Sequence, residues 1–119
     1  MLNAATAKAD AMGQPQCIVI VDASGETLAE LRMTGAKFLS LKSAKSKART
    51  AAAIGAPSSS IPDAVAPLIA AATQGNVTGL GGGLPIHFQG HLVGGIGIGS
   101  GSAEQDVMVA EAALAVLAG

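Results

Sequence analysis

The sequence predicts an α/β chain of the α+β kind, with helices packed against a single, mostly antiparallel sheet. Three observations carry this. Two blocks read as hairpins, one at residues 16–33 and one at 84–98. A long stretch of helical spacing lies between them, and an amphipathic helix closes the chain. At 119 residues there is room for one domain, 1–119, and one core.

Leu2, Ala5, Ala9 and Met12 recur at helical spacing, and Gly13 and Pro15 end that opening helix. After Gln16, residues 17–21 are β-branched or apolar, and the stretch 16–21 reads as a buried strand. Asp22 to Gly25 supply a turn, and 26–33 alternate as the returning strand. The strongest helix is 36–54, with Leu41, Ala44, Ala48, Ala51 and Ala52 on one side and Gly55 and Pro57 as its stop. A serine loop at 58–60 leads to a second helix at 61–73, where Pro67 is awkward and shortens or kinks it. Residues 76–80, 84–88 and 91–98 are strand-like, which brings the strands to five. Gln89-Gly90 has the form of a two-residue hairpin turn. Ser102 and Gln105 have capping-box spacing at the start of the last helix, with Val107, Ala110, Leu114 and Leu117 as its apolar stripe.

Composition excludes several classes of function. The net charge is −1, Tyr and Trp are absent, and no basic stacking surface for nucleic acid can be built. No apolar run reaches the roughly 20 residues of a membrane span, and no signal peptide is evident, so the expected compartment is the cytoplasm. The single Cys17 forms no internal disulfide and no thiolate cluster; it reads as a buried strand residue in a reducing compartment. A core so poor in rings, with only Phe38 and Phe88, also favours association with further copies.

Candidate chemistry concentrates in the basic segment. Six of the seven cationic side chains lie between Arg32 and Arg49. Their default reading is a solvated face. On a helical wheel Lys42, Lys45 and Arg49 share one flank, whereas Lys47 falls on the other with Ser43 and Thr50. Lys47, near the strand that carries Arg32, could therefore hold a carboxylate or propionate by charge-assisted bonds. The glycine tract at 94–101 contains no G-x-G-x-x-G and sits in no parallel βαβ unit, so it reads as close packing. A smaller alternative is an anion site on the amides that open the last helix. His87 and His91 fall on opposite faces of their hairpin and are not expected to share a metal ion. No G-x-S-x-G elbow is present, and nothing raises Asp22, Asp106 or Glu111 above a surface or capping role, so no catalytic residue is assigned.

These motifs resemble a known family. "VIVDASGETLAELRMTGA", then "AKSKARTA" with Lys47, Ala48, Thr50 and Ala51, then "GGLPI" at 82–86, Gly90, "VGGIGIGSG" and Gln105-Asp106 are similar in order and spacing to GlcG/HbpS-like proteins. The resemblance covers nearly the whole chain. It implies a five-stranded antiparallel sheet flanked by helices in a profilin-like arrangement. It also implies a homo-oligomer, a dimer or higher up to an octamer. Some members bind haem, among them HbpS and the C-terminal domain of PduO-type proteins, and others accompany catabolic gene clusters. Haem is therefore the first-named cofactor. The ligand site expected from these residues is a pocket between the long helix and the sheet, at a subunit interface, with Arg32, Lys47 and Thr50 on the acidic group and Gly82, Gly83, Leu84 and Pro85 lining the apolar side. The alternative is an enzyme or accessory subunit acting on a small organic acid or aromatic catabolite. Two departures stand out: the opening helix is short and lacks histidine, and the acidic pairs that hold surface iron in HbpS-like proteins have no equivalent.

Overall fold

The computed structural model describes residues 1–118. Helix α1 (Leu2–Met12) ends on Gly13, whose left-handed conformation (φ 67°) closes the last turn with little steric cost. Strands β1 (Cys17–Asp22) and β2 (Thr27–Arg32) pair antiparallel through the 22–26 turn, where the Asp22 carboxylate accepts from the Ser24 and Glu26 amides. After α2 (Leu39–Ile54), a 3-10 turn (Ser58–Ser60) and α3 (Ala66–Ala72) come β3 (Gly83–Phe88), β4 (His91–Gly99) and α4 (Ala103–Ala115). The sheet is antiparallel throughout, in the order β2-β1-β4-β3.

The sheet has four strands, not five. Residues 76–80 are irregular because side-chain oxygens have taken their backbone groups. Thr73 Oγ1 accepts from the Val77 amide, Thr50 Oγ1 from Thr78 and Thr78 Oγ1 from Leu80, while Leu80 C=O accepts from the Ser58 hydroxyl. Backbone groups satisfied in this way are not offered to a ladder. Proline shortens α3 as expected, since Pro67 stands in its first turn and the helix covers 66–72 rather than 61–73. The Gln89-Gly90 turn is as expected: both residues have positive φ (52° and 80°), the type I′ requirement, and His87 pairs with Leu92 while Phe88 pairs with His91.

Both faces of the sheet are covered. On one, Ile18, Ile20, Ile86, Ile96 and Ile98 pack against Ala5 and Ala9 of α1 and Val109, Ala110 and Ala113 of α4. On the other, Cys17, Val19 and Val21 flank α2, which contributes Ala44, Ala48 and Ala52. The glycines of β4 explain how α2 sits so low. A Cβ on Gly99, Gly97 or Gly95 would strike the carbonyl oxygens of Ser40, Ala44 and Ala48 respectively. The two spacings stay in register because four helical residues rise about 6 Å and two strand residues about 6.8 Å. The helix backbone therefore lies in a groove made by missing side chains, as the close-packing reading of the glycine tract expects. No helix among the described residues is long and apolar enough to cross a membrane.

Candidate functional site

The buried stripe of α2 contains a lysine. Lys47 lies among Ala44, Ala48 and Ala51, facing the sheet, and only 5% of it is exposed. An ammonium cannot remain there without compensation, because burying an isolated charge costs far more than packing returns. The compensation comes from α4. Asp106, 2% exposed, places Oδ2 2.9 Å from Lys47 Nζ, and Ile98 C=O accepts a second ammonium bond at 2.7 Å. The other carboxylate oxygen of Asp106 accepts from the Gly101 amide at 3.1 Å. The pair ties the helices on opposite faces of the sheet to the end of β4. Of the three ammonium hydrogens, two are spent inside the protein.

Gly82 and Gly83 make room for this pair. Gly82 has φ 118°, and a Cβ there would lie 2.8 Å from Asp106 Cβ and 3.2 Å from Lys47 Nζ. At Gly83 a Cβ would strike the Lys47 carbonyl, and its amide donates to Ser58 Oγ at 2.9 Å.

Beside the pair opens a cavity of about 250 Å³, lined by Lys37, Ser40, Ser43 and Lys47, by Leu80 and Gly81, and by Ser100, Gly101, Ala103 and Asp106. It lies between the N-terminal half of α2, the end of β4 and the first turn of α4. The Ser43 hydroxyl donates to Ser40 C=O and keeps its lone pairs free, whereas Ser100 Oγ accepts from the Lys37 amide and keeps its proton free. The cavity thus offers hydroxyl donors and acceptors above a neutralised ion pair, with the exposed Lys37 contributing positive charge.

The structure brings together some of the expected residues and separates others. Lys47, Gly82 and Gly83 converge. Thr50 is fully buried one turn along α2, where it donates to Ser46 C=O and accepts from the Thr78 amide. Arg32 is exposed on the edge strand β2, beside Cys17, with β1 and β4 between it and β3. Leu84 packs into the core on the α1/α4 face, and Pro85 lines a groove with His87, Leu114 and Leu117. His87 and His91 are both exposed. Burial pushes the Cys17 thiol up, a shift that nearby Arg32 partly opposes.

Asp106 is the partner that helix-dipole reasoning left in a capping role. Its signal lay in the stripe. The buried positions of α4 are Asp106, Val109, Ala110 and Ala113, so the helix faces the core through the acid rather than through Val107. A lysine on one buried stripe and an aspartate on another are a pair in waiting. Gln16 carries no such signal in the sequence; its amide is fully buried, makes no bond within the described residues and abuts Gly101.

The comparisons with known proteins agree with this fold. The family described as "Haem degrading protein HbpS-like" matches residues 1–115. The corrinoid adenosyltransferase PduO of Citrobacter freundii is 37% identical over 98% of this chain, which spans only 36% of that relative's length. Among solved structures, Klebsiella pneumoniae protein ORFY superposes with a TM-score of 0.93 at 29% identity, covering 99% of this chain and 85% of that one. The PduOC–haem complex superposes at 0.89 with 35% identity, covering 96% of this chain and 86% of that one. With that match along its length, its sheet and its helices, the chain belongs to the HbpS-like family.

Proposed function

We propose that this chain binds a small molecule carrying an acid group, and that the acid group enters the serine-lined cavity beside Lys47. The observation that carries the reading is the cavity itself: a built, buried ion pair at its wall, three serines around it and a lysine at its mouth. The third ammonium hydrogen of Lys47, the Ser100 proton and Lys37 supply donors to a carboxylate. Thr50, Gly82 and Gly83 act behind Lys47 by fixing the backbone around it.

Haem is the named ligand of a relative, and its fit can be judged from the lining. Cys, His, Met and Tyr, the side chains that ligate haem iron, are absent from the residues that line the cavity. Its volume of about 250 Å³ falls below the ~300–1,000 Å³ of pockets that enclose drug-sized ligands. The cavity of one subunit therefore does not fit an iron-ligated haem, and no iron chemistry follows from it. It does fit a propionate, with the ring outside over the exposed Leu80. A second reading, an enzyme or accessory subunit acting on a small organic acid or aromatic catabolite, is favoured by the contact of Lys47 and Asp106 with the cavity, since such a pair can exchange a proton with a bound acid.

We also read the chain as a homo-oligomer, a dimer or higher. Helix α3 buries no residue, and Leu68 (71% exposed), Phe38 (69%) and Leu39 (67%) stand in solvent. Light scattering should give a multiple of 11.5 kDa; a monomer at micromolar concentration would overturn it. For the ligand, haemin and a panel of small carboxylates are titrated by absorption and calorimetry. Saturable binding that Lys47→Ala weakens about tenfold to a hundredfold, as losing a charge-assisted bond of roughly 1.5–3 kcal/mol requires, supports the reading. Equal, small effects of Lys47→Ala and Lys42→Ala would remove it.

A further inference from the structure

A second cavity lies on the far side of α2, and it is built around an arginine that the helical wheel places on the solvated flank. Arg49 is half-buried. Its Nε–H donates to Gly25 C=O at 3.0 Å, and Nη1 donates to Asn76 Oδ1 at 2.9 Å. The two bonds clamp the guanidinium between the β1–β2 turn and the loop after α3. A guanidinium carries five N–H donors in a fixed plane. Two are spent on the clamp, and three remain, oriented in advance.

The groove that Arg49 lines has a volume of about 400 Å³, against about 250 Å³ for the serine-lined cavity. Ser24, Gly25, Glu26 and Asn76 line its polar side, and Ala52, Ala53 and Val77 its apolar side. A fork of donors whose orientation is already fixed binds a planar carboxylate bidentately at little entropic cost. The apolar wall suits a hydrocarbon body, while an acidic residue in the lining, Glu26, disfavours a ligand with more than one negative charge. We infer that this groove is a binding site for a monocarboxylate with an apolar body, held by Arg49, and that it is separate from the serine-lined cavity. The inference goes beyond the function proposed above and does not depend on it.

The chain contains two arginines, so its arginine Nε–H signals are easily resolved by NMR, and exposed Arg32 is an internal control. Benzoate, acetate and inorganic phosphate are each titrated into the intact protein at constant ionic strength. The expected result is a saturable shift of the Arg49 Nε–H and of the Gly25 and Asn76 amides with benzoate, weaker with acetate and weakest with phosphate, while Arg32 stays still. Arg49→Lys keeps the charge, loses the fork and should bind benzoate about tenfold more weakly. Should that variant fail to fold, Asn76→Ala frees one end of the clamp and should weaken binding several-fold. Ser43→Leu, which fills the other cavity, should leave the Arg49 shift intact. Joint unsaturated movement of both arginines, tighter binding of phosphate, undiminished affinity in both folded variants, or loss of the Arg49 shift in Ser43→Leu would each overturn the inference.

Discussion

Breaking the Lys47–Asp106 pair on one side should cost more stability than removing it entirely. In Lys47→Met, Asp106 stays 2% exposed with the Gly101 amide as its remaining partner. In Asp106→Leu, Lys47 keeps only Ile98 C=O. Each leaves a buried charge without its counter-ion, a change that typically costs 3–5 kcal/mol. A domain of this size has about 5–15 kcal/mol in total, so either variant loses a large share of its stability. The double variant removes both charges and fills the space with hydrocarbon. Replacing a buried pair in that way is often neutral or stabilising, although here the Gly101 amide loses its acceptor and Ile98 C=O its donor, at a cost of roughly 1 kcal/mol each. The coupling between the two substitutions should therefore be at least about 2 kcal/mol. Urea denaturation followed by circular dichroism gives all four free energies, at one fixed protein concentration because self-association would stabilise the folded state by mass action. Single variants that each lose less than about 1 kcal/mol, with additive effects, would show that the pair is hydrated and does not join the two helix layers.

Three further outcomes follow from the packing and the turns. Gly97→Ala would drive a methyl group into the Ala44 carbonyl and lift α2 from the sheet, at a cost typical of overpacking, about 1–3 kcal/mol or more; a melting temperature unchanged from the parent would contradict the groove. Cys17 is buried, with its thiol pushed up, so a disulfide reagent should label it at the rate of unfolding and not at the rate of a free thiol; immediate labelling of folded protein would count against it. The Asp22 carboxyl is held below its ordinary value of 3.8, first by the Ser24 hydroxyl and then by backbone amides. A depressed folded value means the turn's contribution is complete above that ordinary value and fades as the pH falls through the lower one. An NMR titration midpoint at or above 3.8 would refute this.

Much of the fold was legible because local chemistry and tertiary structure agree. Gln89-Gly90 could be read as a hairpin turn because two residues separate two strand-like runs and Gly90 takes a positive φ at little cost, and Ser102 with Gln105 closes the capping box that its spacing promised. The fifth strand failed because apolar, glycine-punctuated sequence at 76–80 says nothing of Thr50, Thr73 and Ser58, whose hydroxyls arrive from other elements to take its backbone groups. Within the site, Lys47 separated from its neighbours on the wheel, but its partner did not. Asp106 looked satisfied by the helix dipole, and its burial depends on where α4 lands. Arg49 shares a helical flank with Lys42, and only the loops that fold back over that flank distinguish them.

The central claim is that the serine-lined cavity receives the ligand's acid group, and Ser43→Leu tests it without disturbing either charge of the buried pair. Ser43 lies one turn before Lys47 and lines the cavity with Ser40 and Ser100. A leucine there should fill the space that a carboxylate needs. The measurement is the affinity of the folded variant, relative to the parent, for whichever haemin or carboxylate ligand saturates the parent protein without shifting the Arg49 Nε–H. The expected result is at least about a tenfold loss of affinity with no loss of thermal stability. Unchanged affinity in Ser43→Leu would place the ligand elsewhere on the molecule and contradict the account.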